Sequence, residues 1–374
     1  MEHVSVPVHP PHGAIALHRG LAALLLVTML PLLGACSSAG YYAQAVSGHM
    51  QLLNRTRPVE TVLADPATPP AVADKLRRTQ AIRQFASSAL ALPDNASYRS
   101  YADLGRPYVV WNVVSTPELS LAPRQSCFLL VGCIGYRGFF NEEDARHFAA
   151  AQHDQGDDVQ VYGVPAYSTL GWMSDPLLNT FLVYSDTDLA RLIFHELAHQ
   201  LVYVHDDSAF NEAFATSVEL EGARRWLAAT QTQADSSALI DVAQQRREDF
   251  QALLAASHAQ LAALYASPVS DGAKREGKAA VFAALDAQYQ ALKQRWGGYT
   301  GYDHWFDPPP GNAHLASLAT YQRLVPAFKQ LLIDNDRDLP RFYTATRQLA
   351  AQPAEQRNAA LHALLQRAAA TSRL

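Results

Sequence analysis

The segment HELAHQ, residues 195–200, lies between two aliphatic runs, LARLIF and LVYV. The surrounding composition is typical of a buried helix, yet two histidines and a glutamate stand in its middle. Burying three ionisable side chains without partners costs several kcal/mol. A fold that contains this helix must therefore pair these groups with others or arrange them around a bound cation.

The spacing of the two histidines favours the cation. His195 and His199 are four residues apart, so in a helix they project within about 40° of each other. Ser185 and Asp188 form a capping pair just before the helix. In an HExxH motif the glutamate, here Glu196, takes a proton from a zinc-activated water molecule. We therefore predict a Zn²⁺ site with His195 and His199 as ligands and Glu196 as the catalytic base.

A catalytic zinc needs a third protein ligand, and Glu212 is the first candidate. It lies in FNEAFATSVE, where phenylalanines four residues apart predict a second helix directly after Asp206 and Asp207. Two helices joined by a short loop can bring Glu212 back to the histidines. Glu219, seven residues further along nearly the same face, is expected to accept a hydrogen bond from a ligand histidine.

His205 is the alternative third ligand. HELAHQLVYVH matches the pattern HExxHxxGxxH except at the glycine, where Val202 stands. A β-branched residue resists the left-handed turn that this glycine provides. The metzincin pattern also requires a methionine turn downstream, whereas all four methionines precede the motif. Glu212 is therefore preferred, and a metzincin-like site with His205 stays open as an alternative.

The pattern along the chain indicates an α+β fold. Four β-branched and aromatic segments predict a small mixed or antiparallel sheet, with a polar helix before the last of them. These segments are residues 108–115, 126–132, 134–140 and 158–164. Downstream the chain is nearly all helical, with a long helical hairpin formed by 236–266 and 273–296.

These patterns divide the chain into four predicted parts. The predicted parts are a signal peptide at 1–35, an N-terminal helical segment at 36–100, a catalytic core at 101–230 with both motif helices, and a helical subdomain at 231–374.

The first residues have the pattern of a secretory leader. An apolar run of thirteen residues at 21–33 is too short to span a bilayer and suits a signal-peptide core. Leu33-Gly34-Ala35-Cys36 resembles the lipobox of bacterial lipoproteins, in which the cysteine carries the lipid. We therefore expect a lipid anchor at Cys36 and a place in the bacterial envelope. Ser37 suggests the periplasmic face of the outer membrane.

Charge and the remaining cysteines add little about function. The net charge of −5, with both signs mixed along the chain, excludes the basic stripe that nucleic-acid binding requires. Cys127 and Cys133 could pair across a tight hairpin in an oxidising compartment, or remain as two small buried thiols. The sequence leaves both possibilities open.

HELAH followed by NEAFATSVE resembles the gluzincin peptidases, which have a zincin-like fold. With YRGFF, AYSTLGW, and GYDHWF followed by NAHLASLATYQRLVPAF, nearly the whole chain is similar to a family of bacterial lipoproteins named predicted aminopeptidases. This resemblance implies His195, His199 and Glu212 as zinc ligands, Glu196 as general base, and a peptide substrate. The implied activity is an aminopeptidase or, alternatively, an endopeptidase.

Two further elements are expected of such a site. An edge strand within VYGVPAYSTLGWMSDP, residues 161–176, would bind an extended peptide by main-chain hydrogen bonds. A side-chain donor would stabilise the oxyanion of the transition state. Tyr302 and Tyr321 are the first candidates for this donor because a phenol donates without titrating near neutrality, followed by His304 and His314. The alternative of a different class is a non-catalytic periplasmic binding or assembly factor on the same scaffold.

Overall fold

The computed structural model describes residues 40–128, 132–166, 169, 171–230, 234–316 and 324–371, of which 234–241 and 371 as backbone. The predicted signal peptide and Cys36 lie outside this part of the chain. The chain divides into two compact units, residues 1–51 and 52–374. In the first unit the described residues are helical, and all elements from the first strand onward belong to the second.

Helices make up most of the described chain, as the composition and periodicity predict. They are α1 at 40–54, α2 (Val59–Ala64), α3 (Pro70–Ser88), α4 (Glu142–His153), α5 (Asn179–Leu182), α6 (Asp186–His199), α7 (Ser208–Thr230), α8 (Ala234–Ala266), α9 (Asp271–Arg295), α10 with described residues 312–316, α11 (Val325–Asp334), α12 (Leu339–Ala350) and α13 (Ala354–Thr371). A short 3₁₀ turn occupies Asp303–Trp305. No helix in the described ranges is both long enough and apolar enough to cross a membrane.

The strands of the described ranges form three small sheets. They are β1 (Arg57–Pro58), β2 (Ser100–Ala102), β3 (Val110–Pro117), β4 (Ser126–Phe128), β5 (Gly132–Ile134), β6 (Arg137–Phe139), β7 (Asp157–Val164) and β8 (Leu177–Leu178). One sheet has the order β1-β2-β8, with β2 and β8 parallel. In the second, β3 lies between β6 and β7 and is antiparallel to both. Mixed helices and small sheets confirm the α+β class.

The third sheet is the hairpin β4–β5, and it corrects two predicted strands. Cys127 and Cys133 are directly opposite in its register and form a disulfide, with both residues exposed. The alternative of buried thiols is therefore wrong. The strand predicted at 126–132 is also wrong, because Gly132 already belongs to β5 and pairs back onto Phe128 of β4. The single strand predicted at 134–140 is wrong because the chain changes partners within it: β5 pairs with β4, and β6 pairs with β3.

The main hydrophobic core surrounds α6. The apolar side of this helix packs against α3 and α7, α11 packs in turn against α7, and the large side chains on that side of α6 are fully buried. Burial of each such side chain stabilises the fold by roughly 1.5–3 kcal/mol. The fully buried members from these four helices include Leu76, Ile82, Leu189, Ile193, Phe194, Leu197, Phe210, Phe214 and Phe328. Helix α6 is thereby fixed on one side, and its polar side faces the candidate site.

The predicted helical hairpin is confirmed as α8 and α9, which have a smaller core of their own around Phe250 and Tyr289. Gly297 and Gly298 end α9 with φ of 73° and 84°, which side chains with a Cβ rarely adopt. The Lys278 ammonium of α9 lies 2.7 Å from Asp158 Oδ2 of β7. This ion pair ties the hairpin to the second sheet.

Candidate metal centre

Helix α6 begins where the capping pair predicts. Ser185 is its N-cap, and the backbone N–H of Asp188 donates to the Ser185 hydroxyl over 3.1 Å. The helix ends at His199, four residues after His195, so both imidazoles lie on the same face. The side chain of His195 is 18 % exposed and that of His199 is 7 % exposed. The polar face of a largely apolar helix therefore presents two nearly buried imidazoles.

A tight turn returns the chain to these histidines. The backbone of Asp206 takes the left-handed conformation, with φ of 60°, and Asp207 Oδ1 accepts from the N–H of Phe210 at the start of α7. The buried amide of Asn211 holds the turn closed. It accepts from the N–H of Val204 over 2.7 Å and donates to the carbonyl of Val204 over 2.8 Å. Glu212 follows directly and points back at α6.

The structure brings His195, His199 and Glu212 together. The Nε2 atoms of the two histidines are 3.2 Å apart. Glu212 Oε2 lies 3.3 Å from Nε2 of His195, and Glu212 Oε1 lies 3.7 Å from Nε2 of His199. Taking one donor atom from each residue, all three lie within 4.8 Å of one another. Two imidazoles and a carboxylate in this arrangement could hold a metal ion.

Glu219 occupies the position expected of it behind His195. Its Oε2 lies 3.1 Å from Nδ1 of His195, and its Oε1 accepts from Nε of Arg191 over 2.6 Å. A proton on Nδ1 that donates to Glu219 leaves the lone pair of Nε2 directed at the other donors. The Nδ1 atom of His199 is buried and has no hydrogen-bond partner in the described part of the chain. Of the two histidines, His195 therefore has a partner for its Nδ1 atom, whereas His199 has none among the described residues.

The pKa shifts of His195, His199 and Glu212 reflect their burial and the charges they place on one another. Burial lowers the pKa of His195, but its hydrogen bonds to Glu212 and Glu219 outweigh burial and raise that pKa well above its ordinary value. Burial and the neighbouring His195 lower the pKa of His199 to about 4. Burial alone would raise the pKa of Glu212, but its bond to His195 lowers it. The raised pKa of His195 reflects the negative charge of two adjacent carboxylates, which a bound cation would also neutralise.

Glu196 and His195 line a groove of about 370 Å³ beside this group. Tyr184 and Arg191 of the α6 region and Arg247 of α8 also line it. The charge of Glu196 reaches Tyr98, whose pKa is raised by burial first and by Glu196 second. A carboxylate next to the donor group and open to a groove has the position required to exchange protons with a bound molecule.

His205 is not part of the donor group. Its side chain is 57 % exposed, and its Nδ1 lies 2.9 Å from Asp206 Oδ2. The left-handed residue of the turn is Asp206, whereas Val202 is buried in the core. The geometry therefore favours Glu212 over His205 as the third ligand.

The predicted oxyanion donors differ in position. The Tyr302 ring stacks on Phe250 with 4.1 Å between the ring centres. Burial raises the pKa of Tyr302, while the charges of Arg247 and Arg191 in the groove act in the opposite direction. His314 is buried, and its Nδ1 accepts from the N–H of Gly311 over 3.0 Å. Burial lowers the pKa of His314 to about 4.

The other two predicted donors are His304 and Tyr321. His304 lies in the 3₁₀ turn and does not line the groove. Tyr321 lies outside the described residues.

Sequence reasoning missed two tyrosines whose pKa values respond to the charge of Glu212. The pKa of Tyr162 on β7 is raised by burial and by the charge of Glu212, and its hydroxyl lies 3.3 Å from Nδ2 of Asn112. The pKa of Tyr203 is raised by the same two causes. The alternation of the segment VYGV predicts only a strand, although its tyrosine could have been weighed as a donor.

The fold and the site define an α+β protein with a His-His-Glu group at the junction of two core helices. Residues 40–361 match the protein family described as "Putative aminopeptidase", and the chain belongs to this family. Membership supports a peptidase function in broad terms. Neither the search of curated proteins nor the search of solved structures found a match.

Proposed function

We propose that the chain is a zinc-dependent peptidase of the zincin type that acts in the bacterial envelope. His195, His199 and Glu212 hold the ion, and Glu196 acts as the general base. Family membership supports the peptidase class. The donor group supports the metal dependence.

The separations between donor atoms carry this proposal. Zinc takes nitrogen and oxygen ligands at about 2.0–2.2 Å in tetrahedral geometry, which puts neighbouring donors about 3.4 Å apart. The distances here are 3.2, 3.3 and 3.7 Å. Three protein donors leave the fourth position open, as in catalytic rather than structural zinc sites. The residues present therefore fit the ion.

When bound, zinc supplies a Lewis acid that makes water a stronger acid and a peptide carbonyl a better electrophile. Glu196 takes the proton of the attacking water and passes it to the leaving amine. Glu219 holds the ring of His195 in orientation. Tyr302, Tyr162 and Tyr203 are the candidate donors to the oxyanion, and Tyr321 stays a further candidate.

The position of β7 supports the proposal that the main chain of the substrate binds along this strand. β7 is an edge strand of its sheet, and Tyr162 on this strand lies close enough to Glu212 to feel its charge. An extended peptide added along β7 would therefore pass near the donor group. Within the expected range 161–176 only the first residues belong to this strand, since β7 ends at Val164.

The function is tested by a peptide library and mass spectrometry. Purified protein with one equivalent of zinc is expected to cleave the library, and a chelator should abolish cleavage. Glu196→Gln should retain zinc, measured by elemental analysis, while cleavage falls by roughly 10²–10⁴-fold. Stepwise loss of first residues would identify an aminopeptidase, and internal cuts an endopeptidase. Zinc-loaded protein that cleaves nothing would support the non-catalytic binding factor instead.

We place the enzyme on the periplasmic face of the outer membrane, with Cys36 as its lipid anchor. The apolar leader and the LGAC sequence support this location. Radiolabelled palmitate should label the wild-type chain and not Cys36→Ala, and the variant should leave the membrane fraction.

A further inference from the structure

Arg247 of α8 lines the same groove as His195 and Glu196. Its Nε is buried and has no hydrogen-bond partner in the described ranges. Asp188 Oδ1 lies 4.0 Å from its Nη2, beyond hydrogen-bond distance. A guanidinium carries five donors, so leaving it partly desolvated and without close partners is unfavourable. Among the described residues, the groove thus contains a cation that lacks a close anionic partner.

Neighbouring groups do not satisfy this cation. Asp188 is half exposed and is already bonded to the Ser185 hydroxyl, and an exposed ion pair of this kind contributes little. Burial, followed by the positive charge of Arg191, lowers the pKa of Arg247. Arg191 itself is engaged by Glu219 over 2.6 Å. Of the two arginines in the groove, Arg247 is therefore the one available to a ligand.

Arg246, one residue earlier, also has a buried Nε without a hydrogen-bond partner among the described residues, but the outer part of its guanidinium is engaged. Its Nη2 donates to the carbonyl of Trp296 over 3.1 Å, and its guanidinium lies 4.4 Å from the centre of the Tyr299 ring. It does not line the groove. The two arginines therefore share an unbonded Nε, and they differ in that Arg246 has a partner for Nη2 whereas Arg247 lines the groove.

We propose that Arg247 binds a carboxylate of the peptide substrate, close to the bond that is cleaved. This inference rests on the proposed peptidase function and specifies its substrate class. The carboxylate is either the C-terminal one or the side chain of Asp or Glu, since both offer two oxygens to a guanidinium. Asp188, Glu196 and Glu219 also line the groove, so a carboxylate gains only where it reaches Arg247 directly. A preference at one position follows, rather than a general preference for acidic peptides.

Matched peptides test this proposal on the zinc-loaded wild-type protein. One pair differs only in a C-terminal carboxylate or amide. A second series places Asp or Glu against Asn or Gln at each position around the cleaved bond. We expect kcat/KM to favour the acid about ten- to hundred-fold in one of these arms, mainly through KM. The arm that responds identifies the source of the carboxylate, and no preference in either arm overturns the proposal.

Variants assign the preference to Arg247. In Arg247→Gln the ratio of kcat/KM between acid and neutral peptides should fall to near one, and Arg247→Lys should keep part of it. Arg246→Gln removes the same charge on the same helix and should keep the wild-type ratio. A preference that survives in Arg247→Gln would contradict the assignment. Thermal melting shows whether each variant is folded.

A binding measurement separates this proposal from the function on which it rests. Calorimetric titration of Glu196→Gln protein with the same pairs needs no cleavage. Tighter binding of the acid, lost when Arg247→Gln is added, supports carboxylate recognition even if wild-type protein cleaves no peptide. Equal binding of acid and neutral peptides rejects it, whatever the outcome of the cleavage assay.

Discussion

The helix pairs α6–α7 and α8–α9 differ in whether they bury ionisable side chains. Between α6 and α7 the apolar packing also encloses nearly buried ionisable groups: His199 is 7 %, Arg191 13 % and Glu219 15 % exposed. Between α8 and α9 the buried groups are apolar or aromatic, such as Leu285 and Tyr289, and most charged side chains face solvent.

This difference indicates which of the two helix pairs contains a functional site. A helix pair gains stability from apolar contact, and each buried charge reduces that gain unless a partner compensates for it. The α8–α9 pair follows this rule. The α6–α7 pair departs from it with a connected set of two imidazoles, two carboxylates and a guanidinium, each placed against the next. Such an arrangement is expected where the charges serve binding or catalysis.

The largest expected effect is the loss of zinc affinity when Glu212, in the middle of this charged set, is substituted. Glu212→Gln removes the proposed anionic ligand, and we expect zinc affinity to fall by more than about 100-fold, with loss of peptidase activity. The control is Glu248→Gln on α8, where the carboxylate is exposed and accepts only from Gln244 among the described residues. Competition with a chromophoric chelator measures both affinities. Equal affinities in the two variants would remove Glu212 from the site.

A smaller effect on zinc affinity is expected for Glu219, which contacts the proposed ligand His195 from behind. Glu219→Gln keeps an acceptor near His195 but loses the charge and leaves Arg191 without its buried partner. Zinc affinity should fall by about 10–100-fold, which is typical of a group that orients a ligand. The same chelator assay should therefore rank the affinities in the order wild type, Glu219→Gln, Glu212→Gln, from tightest to weakest. A reversed order would exchange the proposed roles of the two glutamates.

A glycine-to-alanine substitution in each helix pair compares the packing of α6–α7 with that of α8–α9. A Cβ at Gly222 of α7 would lie 2.7 Å from a ring carbon of Phe194 and 2.8 Å from Leu90, both fully buried. A Cβ at Gly277 of α9 would lie 2.8 Å from the end of Leu264, which is partly exposed and can rotate away. The first contact must strain the core, whereas the second can relax.

We therefore expect Gly222→Ala to destabilise the fold by up to about 2 kcal/mol, since overpacking costs about 1–3 kcal/mol and helix propensity returns about 1 kcal/mol. Gly277→Ala should be neutral or stabilise by up to about 1 kcal/mol. Denaturant unfolding of the two variants measures the difference. Shifts of the same sign and size would mean that the two pairs are packed alike.

The same comparison explains how far the sequence could predict the structure. The start of α6, the common face of its histidines and the return of Glu212 follow from local rules of capping and periodicity. The single strand predicted at 134–140 is wrong because pairing partners are set by distant segments. The environment of Arg247 could not be predicted either, because it depends on which groups of α6 face α8 once the chain has folded.

The smallest expected effect concerns the residue that the motif alone would place at the metal. His205 is exposed and lies against Asp206 at the outer side of the turn, so His205→Ala should leave zinc affinity and peptidase activity unchanged within about twofold, in contrast to Glu212→Gln. The chelator assay used for the glutamates measures it. Because the left-handed residue of the turn is Asp206, a glycine at position 202 should not recruit His205 either. Zinc lost from His205→Ala but retained by Glu212→Gln would replace the proposed ligand set with the metzincin-like one.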